Sequence, residues 1–269
     1  MEIYKKENVA FIEIEVPNLP NLFIFVTDGM LVDTGTQSYE TKIIPFLKEV
    51  SFDVVALTHS HEDHTGTAAW IQDNLNIPIY ISPLGISICS QPAPYPKYRQ
   101  AIWGMRKEFN PLPISDTIQS RKKEWKVLHT PGHADDHIAL LNEDTGTLFS
   151  GDLFVSSKTK VIMRSESIPQ IMESIRTVLT HDFGSMFCCH AGYIQDGKKR
   201  MRRKLEYLEN LSGEVKNLYE KGLSFDEIDQ KIFRKKYPIT FVSEGEWDSL
   251  HIITSIIGGQ NALQISKQI

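Results

Sequence analysis

Between Val9 and Val16, Ile12, Ile14 and Val16 alternate with Glu13 and Glu15, a period of two that predicts a strand with one buried face. Two more apolar runs, Leu22 to Val26 and Met30 to Val32, meet across Thr27-Asp28-Gly29, whose Asp-Gly pair predicts a hairpin. The chain is thus expected to open with antiparallel strands. Past Asp33-Thr34-Gly35 the apolar positions Ile43, Ile44, Leu47 and Val50 take helical spacing, and Val54 to Leu57 reads as a short buried strand. A second helix is expected from Thr65-Gly66 to Leu75, then a strand from Ile77 to Ile81.

The pattern lapses between about Pro83 and Pro113, where Pro92, Pro94, Pro96, Pro111 and Pro113 interleave with Tyr95, Tyr98, Trp103, Met105 and Phe109. Long irregular segments in compact domains often serve as lids or binding loops, and a surface loop with packed aromatics is the plainer alternative. Strands resume at Lys126 to Leu128, Ile138 to Leu141 and Leu148-Phe149, the last two joined by a turn-rich loop over 142–146. Ile168, Ile171, Met172, Ile175 and Leu179 form a helical stripe, and Met186 to Cys189 reads as a final strand. From Asp196 onward the pattern is helical: Met201, Leu205, Leu208 and Leu211 share a face, and Ser224 to Glu227 and Ser243 to Glu246 both match a capping box. Two regions are expected, 1–195 and a helical module over 196–269.

Composition narrows the class without naming a chemistry. A chain of 269 residues, 41% hydrophobic and 23% charged, can bury a substantial core. The net charge of -5 offers no global attraction to polyanions. No leader pattern and no bilayer-length apolar run is seen, so a cytoplasmic protein without membrane attachment is expected. Cys89, Cys188 and Cys189 form neither a zinc framework nor an even disulfide set, which suits a reducing compartment. On a continuing strand Cys188 would share a face with His190, although a free cysteine is more often a small buried hydrophobe.

The chemistry concentrates in Thr58-His59-Ser60-His61-Glu62-Asp63-His64, directly after an apolar strand. Imidazole and carboxylate together are the donors of zinc or iron sites that keep a position open to water. His133 follows a Pro-Gly turn after a strand, Asp152 lies in Ser150-Gly151-Asp152 after another, and His190 ends a third. With His59, His61, Asp63 and His64 these make seven donors, enough for two cations. His137, four residues beyond His133, is read as a supporting rather than a ligating imidazole.

Thr-His-Ser-His-Glu-Asp-His-Thr-Gly, Pro-Gly-His, Ser-Gly-Asp and Cys-His-Ala-Gly stand in the order and at the spacing of the metallo-beta-lactamase superfamily of hydrolases, which the chain resembles over residues 9 to 195. The resemblance implies an α/β (α+β) fold, a four-layer αββα sandwich with the site at one edge of two central sheets. It implies that His59, His61 and His133 hold one metal, that Asp63, His64 and His190 hold the other, and that Asp152 bridges them. Asp33, in an Asp-Thr-Gly turn like the family's, would brace the ligating histidines. The implied cofactors are two divalent ions, zinc first, with iron or manganese suiting the same donors. A metal-bridging hydroxide would be the nucleophile, and Asp63 would orient it or accept its proton as well as bind metal.

The metals do not choose the substrate. The Ala-Asp-Asp-His sequence after His133 and the helical tail resemble the branch that holds acyl-thioester hydrolases, lactonases and a beta-lactamase-like endoribonuclease. That branch has a tail like a small winged helix. A small acyl substrate such as a thioester or lactone is therefore expected. Single-stranded RNA cleavage and a mononuclear iron persulfide dioxygenase are the alternatives. Tyr95, Tyr98, Trp103 and Tyr193 are candidate substrate contacts. So are Arg202 and Arg203, from a basic run over 198–204 that either grips an anionic group or is a solvated helix face. A small-molecule partner is expected and nucleic acid is not favoured; a homodimer is left open.

Overall fold

The computed structural model describes residues 2–93 and 95–265, with side chains described to residue 258 in the last helix. The first half holds β1 (Tyr4–Lys6), β2 (Val9–Ile14), β3 (Leu22–Thr27), β4 (Met30–Val32), α1 (Glu40–Glu49) and β5 (Val54–Ala56). It continues through α2 (Glu62–Thr65), α3 (Ala68–Leu75), β6 (Ile79–Ile81), α4 (Pro83–Cys89), α5 (Lys97–Trp103) and β7 (Leu112–Pro113). The second half runs β8 (Thr117–Gln119), β9 (Glu124–His129), β10 (Ile138–Asn142), β11 (Thr147–Phe149), β12 (Ile162–Met163), α6 (Ile168–Leu179), β13 (Ser185–Cys188) and β14 (Gly192–Ile194). The chain closes with α7 (Gly197–Glu220), α8 (Phe225–Phe233), α9 (Pro238–Val242), β15 (Trp247–Asp248) and α10 (Leu250–Ile265).

Strand alternation builds the layers. In β3, Leu22, Ile24 and Val26 join the cluster that α1 and α3 cover, whereas Phe25 between them points the other way. In β10, Ile138 and Leu140 meet Phe25 in the same interior cluster, while Ala139 and Leu141 face Ile171 and Ile175 of α6 and Met201 and Leu208 of α7. Each strand thus contributes to two cores, as its period of two requires. The result is helices, a seven-stranded sheet in the order β1 to β7, a six-stranded sheet β14-β13-β11-β10-β9-β8, and helices again. Phe25, Trp125, Phe149 and Phe187 are almost fully buried between the sheets. Pro113, which cannot donate to a ladder, stands in the edge strand β7.

Strand direction decides where the polar ends gather. β4, β5 and β6 are parallel. In the other sheet β9 and β11 both run antiparallel to β10, and β13 runs parallel to β11, so β9, β11 and β13 share one direction. Asp33, His59, His133, Asp152 and His190 all lie just past the carboxyl ends of these strands. The Ile138 N–H donates to the Thr58 carbonyl at 2.8 Å and the Phe23 N–H to the Cys189 carbonyl at 2.8 Å, joining the sheets at this edge.

Two expectations are corrected. The helix expected from Thr65-Gly66 is two helices, α2 from Glu62 and α3 from Ala68, so Asp63 and His64 are helical. The break follows from close approach: a Cβ on Gly66 would collide with the backbone of Thr36 and Gln37, and the Gly66 N–H donates to Gly35 instead. Within the irregular stretch over 83–113 two short helices, α4 and α5, occur, and buried Arg106 donates to the carbonyls of Ile88, Cys89, Gln91 and Lys107. The capping box at Ser224 forms as expected, but Ser243 starts no helix; its hydroxyl accepts from Trp247 N–H, and α10 starts later, with Asp248 Oδ1 accepting from Leu250 N–H. β15 instead pairs with β12. Among the described residues no helix is long and apolar enough to cross a membrane.

Candidate metal centre

The loop after β5 aims two imidazoles at a third. His61 Nδ1 lies 3.0 Å from His59 Nε2 and 3.0 Å from His133 Nε2. One ring nitrogen carries at most one proton, so it cannot satisfy both neighbours as a donor. Three nitrogens bound about 2 Å from one tetrahedral cation would sit about 3.3 Å apart, close to the spacing seen. Beside them stand Asp63, His64 and His190. His190 Nε2 is 3.4 Å from Asp63 Oδ2, and His64 Nε2 is 3.8 Å from the same oxygen.

Asp152 faces both groups. Its Oδ2 is 3.1 Å from His190 Nε2 and 3.4 Å from His133 Nε2, and its Oδ1 is 3.5 Å from His64 Nε2. His64 Nε2 and Asp152 Oδ1 are buried with no hydrogen-bond partner. Buried polar atoms are seldom left so, and orphaned donors pointing at a shared point are what a cation would satisfy. His59, His61 and His133 together, and Asp63, His64 and His190 together, meet the spacing of metal-holding groups.

Supporting groups set the tautomers. His64 Nδ1 lies 2.9 Å from Asp33 Oδ2, which leaves Nε2 for the centre. The Asp33 carboxylate also accepts from Thr58 N–H at 2.7 Å, from the Thr58 hydroxyl and from the Cys189 thiol at 2.9 Å. His190 Nδ1 donates to the Asn21 carbonyl at 3.1 Å. His133 Nδ1 is 3.1 Å from Glu166 Oε2, whose other oxygen accepts from Met163 N–H at 2.8 Å. His137 accepts Asp152 N–H at Nε2, 2.9 Å, so its Nδ1 carries the proton and donates to Thr130 Oγ1 at 2.8 Å. Both of its nitrogens are thereby occupied outside the centre. Glu166 has no sequence signal beyond its place just before the Ser167 cap of α6.

Charge divides the imidazoles. Burial, together with neighbouring rings, holds His59 and His61 well below the usual imidazole range. The same burial pushes His137 down to about 3, with His133 adding to it. Burial also opposes charge on His64 and His190, but the Asp152 and Asp63 carboxylates outweigh it and hold both well above that range. Glu166 raises His133 in the same way. Burial would raise Asp63 and Asp152, yet His64 and His190 hold both carboxyls low.

The other candidates are spread around the rim and beyond it. Tyr95 OH donates to the Gly104 carbonyl at 3.0 Å and accepts Arg106 N–H at 2.6 Å, within its own segment. Tyr98 lines a surface cleft of about 470 Å³ with Lys97, Arg164 and Glu246. Trp103 packs on the first sheet's outer cluster. Tyr193 packs against Phe187 with the rings tilted by 50° and donates to Glu7 at 3.1 Å. Arg202 and Arg203 are exposed on α7. Between cleft and centre, Arg99 grips Glu62 through two hydrogen bonds, the shorter 2.5 Å, and reaches Glu246 at 3.3 Å. Cys188 faces α6 and α7 in the outer core, and Cys189 is the thiol beside the centre. The strand ends at Cys188, so its alternation does not extend to His190.

A four-layer sandwich with clustered histidines and aspartates at the strand ends is the architecture of a metal-dependent hydrolase. The Metallo-beta-lactamase superfamily model matches residues 22–208, and the chain belongs to that superfamily. A probable metallo-hydrolase of Bacillus subtilis, YflN, is 28% identical over 164 residues, covering 55% of this chain and 61% of its own length. An atrochrysone carboxyl ACP thioesterase of Claviceps purpurea is 25% identical over 193 residues, covering 68% of this chain and 55% of its own. A metallo-beta-lactamase family protein from Thermus thermophilus superposes with a TM-score of 0.72 at 18% identity, over 97% of this chain and 94% of the other.

Proposed function

We propose that the chain hydrolyses a small acyl substrate, a thioester or a lactone, at a centre of two divalent cations, zinc first among them. The position of Asp152 carries this reading: one buried carboxylate stands 3.1 to 3.5 Å from imidazole nitrogens of both donor groups. In the proposal His59, His61 and His133 hold one ion and Asp63, His64 and His190 the other. When bound, such a pair ionises a water near neutral pH and polarises an acyl oxygen.

The chain's own groups do the rest. Asp33, Glu166 and the Asn21 carbonyl keep the donor nitrogens of His64, His133 and His190 aimed inward. Asp63 Oδ2, in the first turn of α2, is the acceptor for the attacking water's proton. Residues 1–195 carry this chemistry, and the module over 196–269 helps shape the cleft where Tyr98, Lys97, Arg164 and Glu246 meet, which receives the acyl group. The thioesterase among the relatives supports the substrate class.

The test is metal analysis followed by a screen of a thioester, a lactone and single-stranded RNA. Two metals per chain and acyl hydrolysis reduced at least about 10²-fold in Asp63→Ala are expected. One iron per chain without hydrolysis, RNA cleavage alone, or full activity in Asp63→Ala would overturn the proposal.

A further inference from the structure

The basic stretch of α7 includes one lysine that does not face water. Lys204 is 5% exposed, and its Nζ donates to the carbonyls of Leu153 and Phe154, at 2.7 Å each. Its neighbours on that helix face, Met201, Leu208, Leu211 and Val215, are buried and apolar, so an apolar side chain would have continued the stripe. A buried ammonium is retained against its desolvation cost only where its donors are matched. Here two of its three donors are matched, to the two residues that follow Asp152.

The loop they belong to is strained. Val155, a β-branched residue, sits at φ 48°, and Ser156 N–H closes back on the Phe154 carbonyl at 2.5 Å. A three-residue turn with positive φ at its centre is the rare, strained class of γ-turn. On the other side of Asp152, Gly151 is at φ 48°, where a Cβ would lie 2.5 Å from His137 Nε2. Such backbone persists only when its surroundings over-determine it. His137 provides this before the strained turn, through Asp152 N–H. At the start of the turn Lys204 does, on Leu153 and Phe154, and beyond it Tyr207 OH, three residues along α7, donates to the Thr159 carbonyl at 2.9 Å.

We infer that Lys204 is a positioning residue for Asp152: from the C-terminal helix it holds the loop that sets this carboxylate between the two imidazole groups. The inference rests on reading Asp152 as a metal ligand. Lys204→Met keeps most of the stem and removes the donors. Relative to wild type it should weaken zinc binding at the Asp152-containing centre about 10- to 100-fold in chelator competition, the range for lost support of a ligand. It should also speed hydrogen exchange over residues 151–156 in the metal-free protein. Leu208→Ala, a cavity one turn along the same helix, should lower Tm while leaving zinc affinity and that loop's exchange unchanged. Lys204→Gln, too short to reach both carbonyls, provides the comparison if the methionine variant does not fold. Wild-type zinc affinity and loop exchange in the lysine variants would overturn the inference, as would an equal loss of affinity in Leu208→Ala. Should wild type itself take up fewer than two zinc ions, the two-metal reading falls, and loop exchange still decides the role of Lys204.

Discussion

Replacing Asp33 by asparagine removes one charge and almost no volume from the bracing of His64. The residue sits at φ 58°, a conformation asparagine tolerates, so the backbone of the turn should hold. The amide oxygen can still accept Thr58 N–H, now 2.7 Å from Oδ1. The NH₂ group then faces His64 Nδ1 and the Cys189 thiol, each 2.9 Å from Oδ2, where acceptance is needed. His64 escapes the clash by moving its proton to Nε2, the nitrogen that must ligate. Loss of support behind a ligand typically weakens metal binding about 10- to 100-fold, or about 1.4 to 2.7 kcal/mol. This case should lie toward the upper end, because the tautomer itself is inverted. Chelator competition should show one zinc weakened and the ion at His59, His61 and His133 little changed. Nitrogen-15 NMR of the metal-free variant, taken at a pH high enough for His64 to be neutral, should find its one remaining proton on Nε2. Two zinc ions bound with wild-type affinity, or a proton still on Nδ1, would refute the reasoning.

Three further outcomes are expected. In the metal-free protein at pH 7, His64 and His190 hold protons because their pKa values are raised, whereas His59 and His61 are neutral because theirs are lowered. Zinc uptake at the Asp63, His64 and His190 group should therefore release more protons, and its affinity should climb more steeply with pH, as calorimetry in buffers of different ionisation enthalpy would show. Glu166→Gln should weaken binding at His133 by about tenfold, read by the same competition, because the brace on Nδ1 loses its charge. Phe25→Ala, between the sheets against Phe149 and Phe187, should cost about 3–5 kcal/mol in urea unfolding and leave the metal content of the folded protein unchanged.

Much of the site was legible because its chemistry is local in sequence. Three histidines and an aspartate within six residues, and single donors after Pro-Gly and Ser-Gly turns, need no tertiary information to be recognised as ligand types. Glu166 was not legible: it stands alone among polar residues, and only the packing of the 163–167 turn brings it to His133. Lys204 was concealed by its basic neighbours. The expected stripe Met201, Leu205, Leu208, Leu211 passed over it, whereas the structure buries Lys204 beside Met201, Leu208 and Leu211. The two cysteines were separated by where β13 stops.

By itself the sequence determined where most strands and the long helices α1, α6 and α7 lie and which side chains can hold a cation, since each follows from short-range period and residue chemistry. Tertiary structure decided that these donors meet. Pairing between distant strands turns β4 and β5 in one sheet, and β9, β11 and β13 in the other, so that their carboxyl ends bring the donors to a common edge. That direction is set by long-range hydrogen bonding and by the inter-sheet core, which no local pattern encodes.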